Sequence, residues 1–110
     1  MSTHPRMTTT LTQVLQSLLD EPDIQRYGLE VIALTGLPSG TVFPILARLE
    51  ACGWLTSGWE DVDPRAVRRP RRRYYRLTDS GLQAARSALS RVTEERRRRA
   101  LLLRPVEGWA

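Results

Sequence analysis

The stretch "LPSGTVFPILARLEACGWLTSGWE", residues 37–60, decides the fold. Leu37-Pro38-Ser39 makes a tight turn, and Ser39 is placed to cap a helix. Val42, Ile45, Leu46 and Leu49 then repeat at helical spacing, and Gly53 ends the run. Their stripe must face a core, which turns Thr41, Phe43, Pro44, Ala47 and Arg48 the other way. Pro44 stands beyond the first turn, where proline costs nothing, so a late start or slight distortion is expected there. Leu55–Glu60 reads as a strand.

Working outward toward the N-terminus, a helix spans about Thr8–Asp20. Leu11, Val14, Leu15, Leu18 and Leu19 form one stripe, and Pro22 stops it. A shorter helix covers Gly28–Thr35, with Leu29, Ile32 and Ala33 as its expected inner face and Gly36 just past its end. Residues 1–7 read as a disordered leader.

Toward the C-terminus, "DVDPRAVRRPR" (61–71) is polar and proline-broken and reads as a long hairpin loop. Arg72–Leu77 is a second strand. Thr78 or Asp79 caps a final helix, in which Leu82, Ala85, Leu89 and Val92 follow a 3-4-3 seam. This seam has little domain left to cover it and predicts a partner helix from a second copy. The expected organisation is a winged helix-turn-helix over 8–77, a dimerisation helix over 78–104 and a tail over 105–110. The fold class is mainly α with a β-hairpin wing. Two short helices joined by a tight turn, then a β-hairpin, are a more specific signal than any one element.

Composition agrees with a DNA-binding role. The 110 residues carry a formal net charge of +5, with 41% apolar and 26% charged residues, and every Lys/Arg position is arginine. Such a balance favours polyanions. Arginine's planar fork suits phosphates and guanine edges. Seven of the 17 arginines lie between Arg65 and Arg76. Elsewhere an arginine run is usually a solvated face, but here it occupies the wing. The run "RRRR" at 96–99 reads as a solvated helix end, which suits the dipole.

Catalysis finds no constellation. The one histidine, His4, lies in the leader. No phosphate-cradling glycine loop or metal-ligand spacing occurs. Glu60, Asp61 and Asp63 cluster at the wing base, where pairing with wing arginines is a better account than a metal site. No cofactor and no metal are expected. The single Cys52 precludes an intrachain disulfide and suits a reducing compartment. No apolar run approaches the ~18 residues of a membrane span. The expected location is the cytoplasm. Trp54, Trp59 and Trp109 are either ordinary core and hairpin residues or the lining of an aromatic-effector site between subunits. The residues leave both open.

The helix motif in 37–60, followed by "RPRRRYYRLTDSG" (69–81), resembles the PadR family of transcriptional regulators over about Thr8–Leu89. The resemblance implies repression of transcription and a homodimer on a double-stranded DNA operator. It implies DNA contacts from Ser39, Thr41, Phe43, Pro44 and Arg48 of the recognition helix, and a wing contribution from Arg69, Pro70 and Arg71. Arg68 and Arg72 join the wing contacts on charge and position. The family's dimers use the terminal and first helices, which adds Leu11 and Leu15 to the expected interface of Leu82, Ala85, Leu89 and Val92. Three departures stand out. Phe43 replaces a common tyrosine, Arg68 stands where glycine often precedes Arg-Pro, and the C-terminal region is short. The alternative is a winged helix that docks an acidic protein partner.

Overall fold

The structure, a computed structural model, describes residues 4–104. Its elements run α1 (Thr9–Leu19), β1 (Arg26–Tyr27), α2 (Gly28–Thr35), α3 (Ser39–Ala51), β2 (Leu55–Trp59), α4 (Pro64–Val67), β3 (Arg73–Leu77) and α5 (Asp79–Leu102). The sheet is antiparallel in the order β1-β3-β2. Leu55 faces Leu77 at one end of the β2–β3 ladder and Trp59 faces Arg73 at the other.

One apolar core holds these pieces together. The α1 stripe of Leu11, Val14, Leu15 and Leu18 packs with Val42, Ile45, Leu46 and Leu49 of α3, and Trp54, Leu55 and Tyr75 close it from the sheet. Thr8 caps α1 by accepting a hydrogen bond from the Leu11 N–H at 3.2 Å. The start of β2, opposite its wing end, is clamped by α5. Thr78 caps that helix, donates its hydroxyl to the Gly53 carbonyl at 2.8 Å, and its N–H bonds the Trp54 carbonyl at 3.0 Å. A Cβ at Gly81 would collide with the Trp54 backbone, so only glycine lets α5 sit this close.

Several expectations are corrected. The inner face of α2 is Gly28, Val31, Ile32 and Thr35; Leu29 is 63% exposed and Ala33 is exposed. A short helix that is apolar nearly all round gives no periodicity from which to choose a face. Pro38, not Ser39, is the N-cap of α3, and no side chain caps that end. The α3 helix starts on time and runs through Pro44. The carbonyl that proline leaves without a donor belongs to the exposed Gly40. The hairpin loop contains a helical turn, α4, built by Asp63 as N-cap and Pro64 as first residue. The two-residue β1 on the free edge of β3 is an addition to the expected elements.

The dimer seam is also revised. Leu11, Leu15 and Ala85, expected in the interface, are fully buried within their own chain and belong to its core. Leu82, Leu89 and Val92 are half-buried. From Thr93 to Leu102, α5 is exposed throughout. Of the expected leader, residues 4–7 rest on the domain. Pro5 is buried, Met7 touches the core, and His4 meets Trp54 edge-on at 5.9 Å. The tail 105–110, with Trp109, lies outside the described residues.

Candidate nucleic-acid interface

The outer face of α3 presents Ser39, Phe43, Pro44, Ala47 and Arg48 to solvent, with Thr41 half-buried beside them. Four buried apolar residues behind this face fix its orientation. No side chain caps α3; the Thr41 N–H bonds the Pro38 carbonyl at 3.0 Å, which leaves the exposed Ser39 and Gly40 amides at the helix start to meet an anion. Phe43 is 40% exposed. Its ring lies on Gly28, where a Cβ would collide with it. Phe43 thus joins α3 to the start of α2, and the wing arm Arg69–Arg73 closes the third side of a cleft of about 380 Å³. The recognition helix and the wing are therefore neighbours around one cleft.

The wing arginines are not equivalent. Arg69 pairs with Glu60, and both guanidinium ends reach the carboxylate. Arg71 donates Nε–H to the Val62 carbonyl at 2.9 Å, which fixes its stem within the wing. Arg72 is exposed and lies 5.8 Å over the Tyr27 ring. Arg68 is exposed and takes the left-handed conformation, φ 57° and ψ 37°, that glycine favours. Arg73 points to the core face of β3, hydrogen-bonds Ser57 at 2.7 Å, approaches Glu50 at 3.8 Å and lies 5.0 Å over Trp59. Arg76 is exposed on the opposite face. The exposed charge of the wing thus comes from Arg65, Arg68, Arg71 and Arg72.

The acidic cluster at the wing base resolves into separate roles. Asp63 caps α4, bonding the Arg65 N–H at 3.0 Å. Glu60 accepts from Arg69 and from the Arg72 N–H. The hydrogen bond from Arg69 outweighs burial and, with the Arg72 N–H, keeps the Glu60 carboxyl below the usual carboxylate range. The same pairing raises Arg69, against its own desolvation. A depressed carboxyl contributes stability above its unfolded pKa and loses it only as pH falls through the lowered value. The tie therefore survives mild acid. Burial raises the Tyr75 hydroxyl, with Arg73 opposing. Among the described residues no cluster of His, Cys, Asp and Glu is arranged to hold a metal ion.

Sequence reasoning missed Tyr27, which anchors the start of α2. Its N–H bonds the Glu30 carboxylate at 2.9 Å, and its hydroxyl reaches Glu60 at 3.5 Å. It also missed Arg26, whose charge is shared among Asp20, Glu21 and Glu30 at 3.6–4.0 Å. Among the described residues, Trp54 and Trp59 do not share a site. Trp54 is 4% exposed in the core, and Trp59 is 57% exposed on the wing strand.

Comparisons with known proteins agree with this geometry. A PadR family transcriptional regulator from Eggerthella lenta is 25% identical, with 86% of this chain and 84% of that chain covered and a TM-score of 0.72. The regulator PcaV from Streptomyces coelicolor, solved with its natural ligand, is 26% identical over 93% of this chain and 64% of its own, with a TM-score of 0.66. BpsR of Bordetella bronchiseptica, whose DNA binding is regulated by 6-hydroxynicotinic acid, shares the fold at 19% identity and a TM-score of 0.67, over 98% of this chain and 73% of its own. No curated protein matches the sequence. No described helix is long and apolar enough to cross a membrane. The transcriptional regulator PadR-like family matches residues 14–87, from the middle of α1 into α5. With a winged helix and an open recognition face, the chain belongs to the PadR-like family and is a DNA-binding transcriptional regulator.

Proposed function

We propose that the protein is a homodimeric repressor of a pseudo-palindromic operator. Each α3 enters a major groove, with Thr41 and Arg48 toward base edges and Ser39 toward phosphate. Each wing lies along the neighbouring backbone or minor groove, with Arg68, Arg71 and Arg72 as its contacts. The observation that carries this reading is the juxtaposition of an uncapped, solvent-facing α3 with the arginine-bearing wing across one cleft. Phosphate contacts then supply affinity, and α3 supplies sequence preference.

Dimerisation is supported by the free half of α5. Leu101, Leu102 and Leu103 are 63–78% exposed, an apolar end that a lone chain gains nothing by showing. Half-sites should lie about 34 Å apart, one turn of the duplex. Trp54 and Trp59 give no aromatic-effector site within one chain, so an effector would be held between the two subunits.

The test is selection of binding sites from genomic DNA by the purified full chain, followed by affinity on a selected and a scrambled duplex at several salt concentrations. A steep salt slope with clear preference for the selected sequence is expected. Equal affinity for both duplexes, together with capture by an acidic peptide, would instead identify a protein-docking winged helix.

A further inference from the structure

Glu60 is the one buried charged residue among the described residues, at 8% exposure. Three residues from two pieces of chain, the returning wing arm and β1, converge on its carboxylate. Arg69 brings its guanidinium from the returning arm of the wing. Arg72 donates its backbone N–H at 3.1 Å, just before β3 begins. Tyr27 brings its hydroxyl from β1 at 3.5 Å. The Glu60 N–H also bonds the Arg72 carbonyl at 2.8 Å, so this residue closes the ladder from which the wing emerges.

The wing has no other hold of comparable reach. No residue from 61 to 71 is buried, so burial does not fix its shape. The Asp63 cap and the bond from Arg71 to Val62 act within the wing itself. A loop without apolar anchorage takes its position from its polar ties, and a carboxylate bonded by an arginine fork is the strongest of these.

We infer that Glu60 is the positioning residue of the DNA-binding wing, and that Arg69 is its strut and not a phosphate contact. The inference rests on the DNA-binding reading, but its sign is opposite to that of simple electrostatics. A carboxylate at the base of a DNA-facing surface repels phosphate, so removing its charge alone should tighten binding. If it positions the wing, removing it weakens binding, because the exposed arginines no longer stand together.

The experiment uses the full chain as wild type, E60Q, R69Q and the double variant. Affinity is measured on a mixed-sequence duplex across salt concentrations. Wing cleavage by trypsin is followed on the DNA-free protein, with cleavage at Arg96–Arg99 of α5 as internal reference. E60Q and R69Q should each weaken binding about tenfold, with the same salt slope in both. The double variant should be no weaker than the worse single one, because both remove the same tie. Cleavage at Arg65, Arg68 and Arg71 should accelerate in all three. If E60Q fails to fold, R69Q tests the same tie from its half-exposed end. Tighter or unchanged binding by E60Q would overturn the inference, as would unaltered wing cleavage. So would a slope reduced by about 0.9 per protomer in R69Q alone, since Arg69 would then be touching phosphate. Should the wild type bind no duplex, the DNA reading fails, and the cleavage rates still decide whether Glu60 fixes the wing.

Discussion

The two regions proposed to face DNA, α3 and the wing, are held in place by different physics. The recognition helix α3 is fixed from behind by Val42, Ile45, Leu46 and Leu49, all buried in the common core. The wing has no buried residue between 61 and 71 and is tied to the body through the Glu60 carboxylate. Moving α3 requires opening the core, so its position is as stable as the fold. Moving the wing requires the loss of a few hydrogen bonds, so its position can fail while the domain stays folded. One surface is thus assembled from a rigid reader and a locally secured, charged arm.

The largest effect should come from the rigid half. Leu46 is fully buried, and Leu46→Ala should cost about 2–5 kcal/mol through lost transfer energy and the cavity left behind. Urea denaturation measures it, and DNA binding should fall with the folded fraction. A variant that stays fully stable yet loses DNA would show that α3 is not held by the core.

A second test separates the two halves of α5. Leu89 touches its own core, whereas Leu102 is 78% exposed. Leu89→Glu should lower thermal stability, because it places a charge at the edge of the apolar cluster. Leu102→Glu should leave the domain folded and shift it from dimer to monomer in sedimentation. Operator affinity should then fall steeply, since two half-sites are no longer bound as one. An unaltered dimer in Leu102→Glu would move the interface back toward Leu82 and Val92.

Reader and arm should also differ in how they respond to salt. Arg48→Ala removes an exposed α3 side chain and should cost about 1–3 kcal/mol on a selected operator, with little change on scrambled DNA. Arg71→Ala should weaken both duplexes alike and flatten the salt slope by about 0.9 for each phosphate that Arg71 neutralises. Affinities on two duplexes at several salt concentrations measure both. The same loss of specificity in the two variants would erase the distinction between them.

How much of this was legible in the sequence follows the same division. α1 and α3 could be read directly, because a long stripe at helical spacing has one sensible inner face. The same logic failed for α2, where eight largely apolar residues offer no contrast between faces. The burial of Leu11, Leu15 and Ala85 was not legible as such, because a seam shows only that an apolar surface exists and not which surface covers it. In the wing, Asp63-Pro64 was a readable cap and first helical residue, obscured by proline's usual role as a breaker. Pairing within the acidic cluster was readable in kind. The choice of Glu60 and Arg69 was not, because it depends on where nine residues of loop return. The two-residue β1 exists only through its pairing with β3 and carries no local pattern.

The smallest effect concerns the one described non-glycine residue with positive φ, Arg68, at the end of α4. A side chain there costs about 1–2 kcal/mol relative to glycine, because Cβ crowds the neighbouring carbonyl. Glycine gives part of this back through the greater freedom of its unfolded chain. Arg68→Gly and Arg68→Ala remove the same guanidinium, so both should lose the same DNA affinity and the same part of the salt slope. They should differ in stability by about 1 kcal/mol in favour of glycine. Denaturation midpoints of the two variants measure that difference directly, without reference to DNA. Equal midpoints would mean that the wing relaxes around residue 68 at no cost, and that Glu60 does not transmit its hold to the far end of the loop. A stable glycine variant with weakened binding would show that the chain keeps an arginine in a conformation suited to glycine because the charge is wanted at that point of the wing.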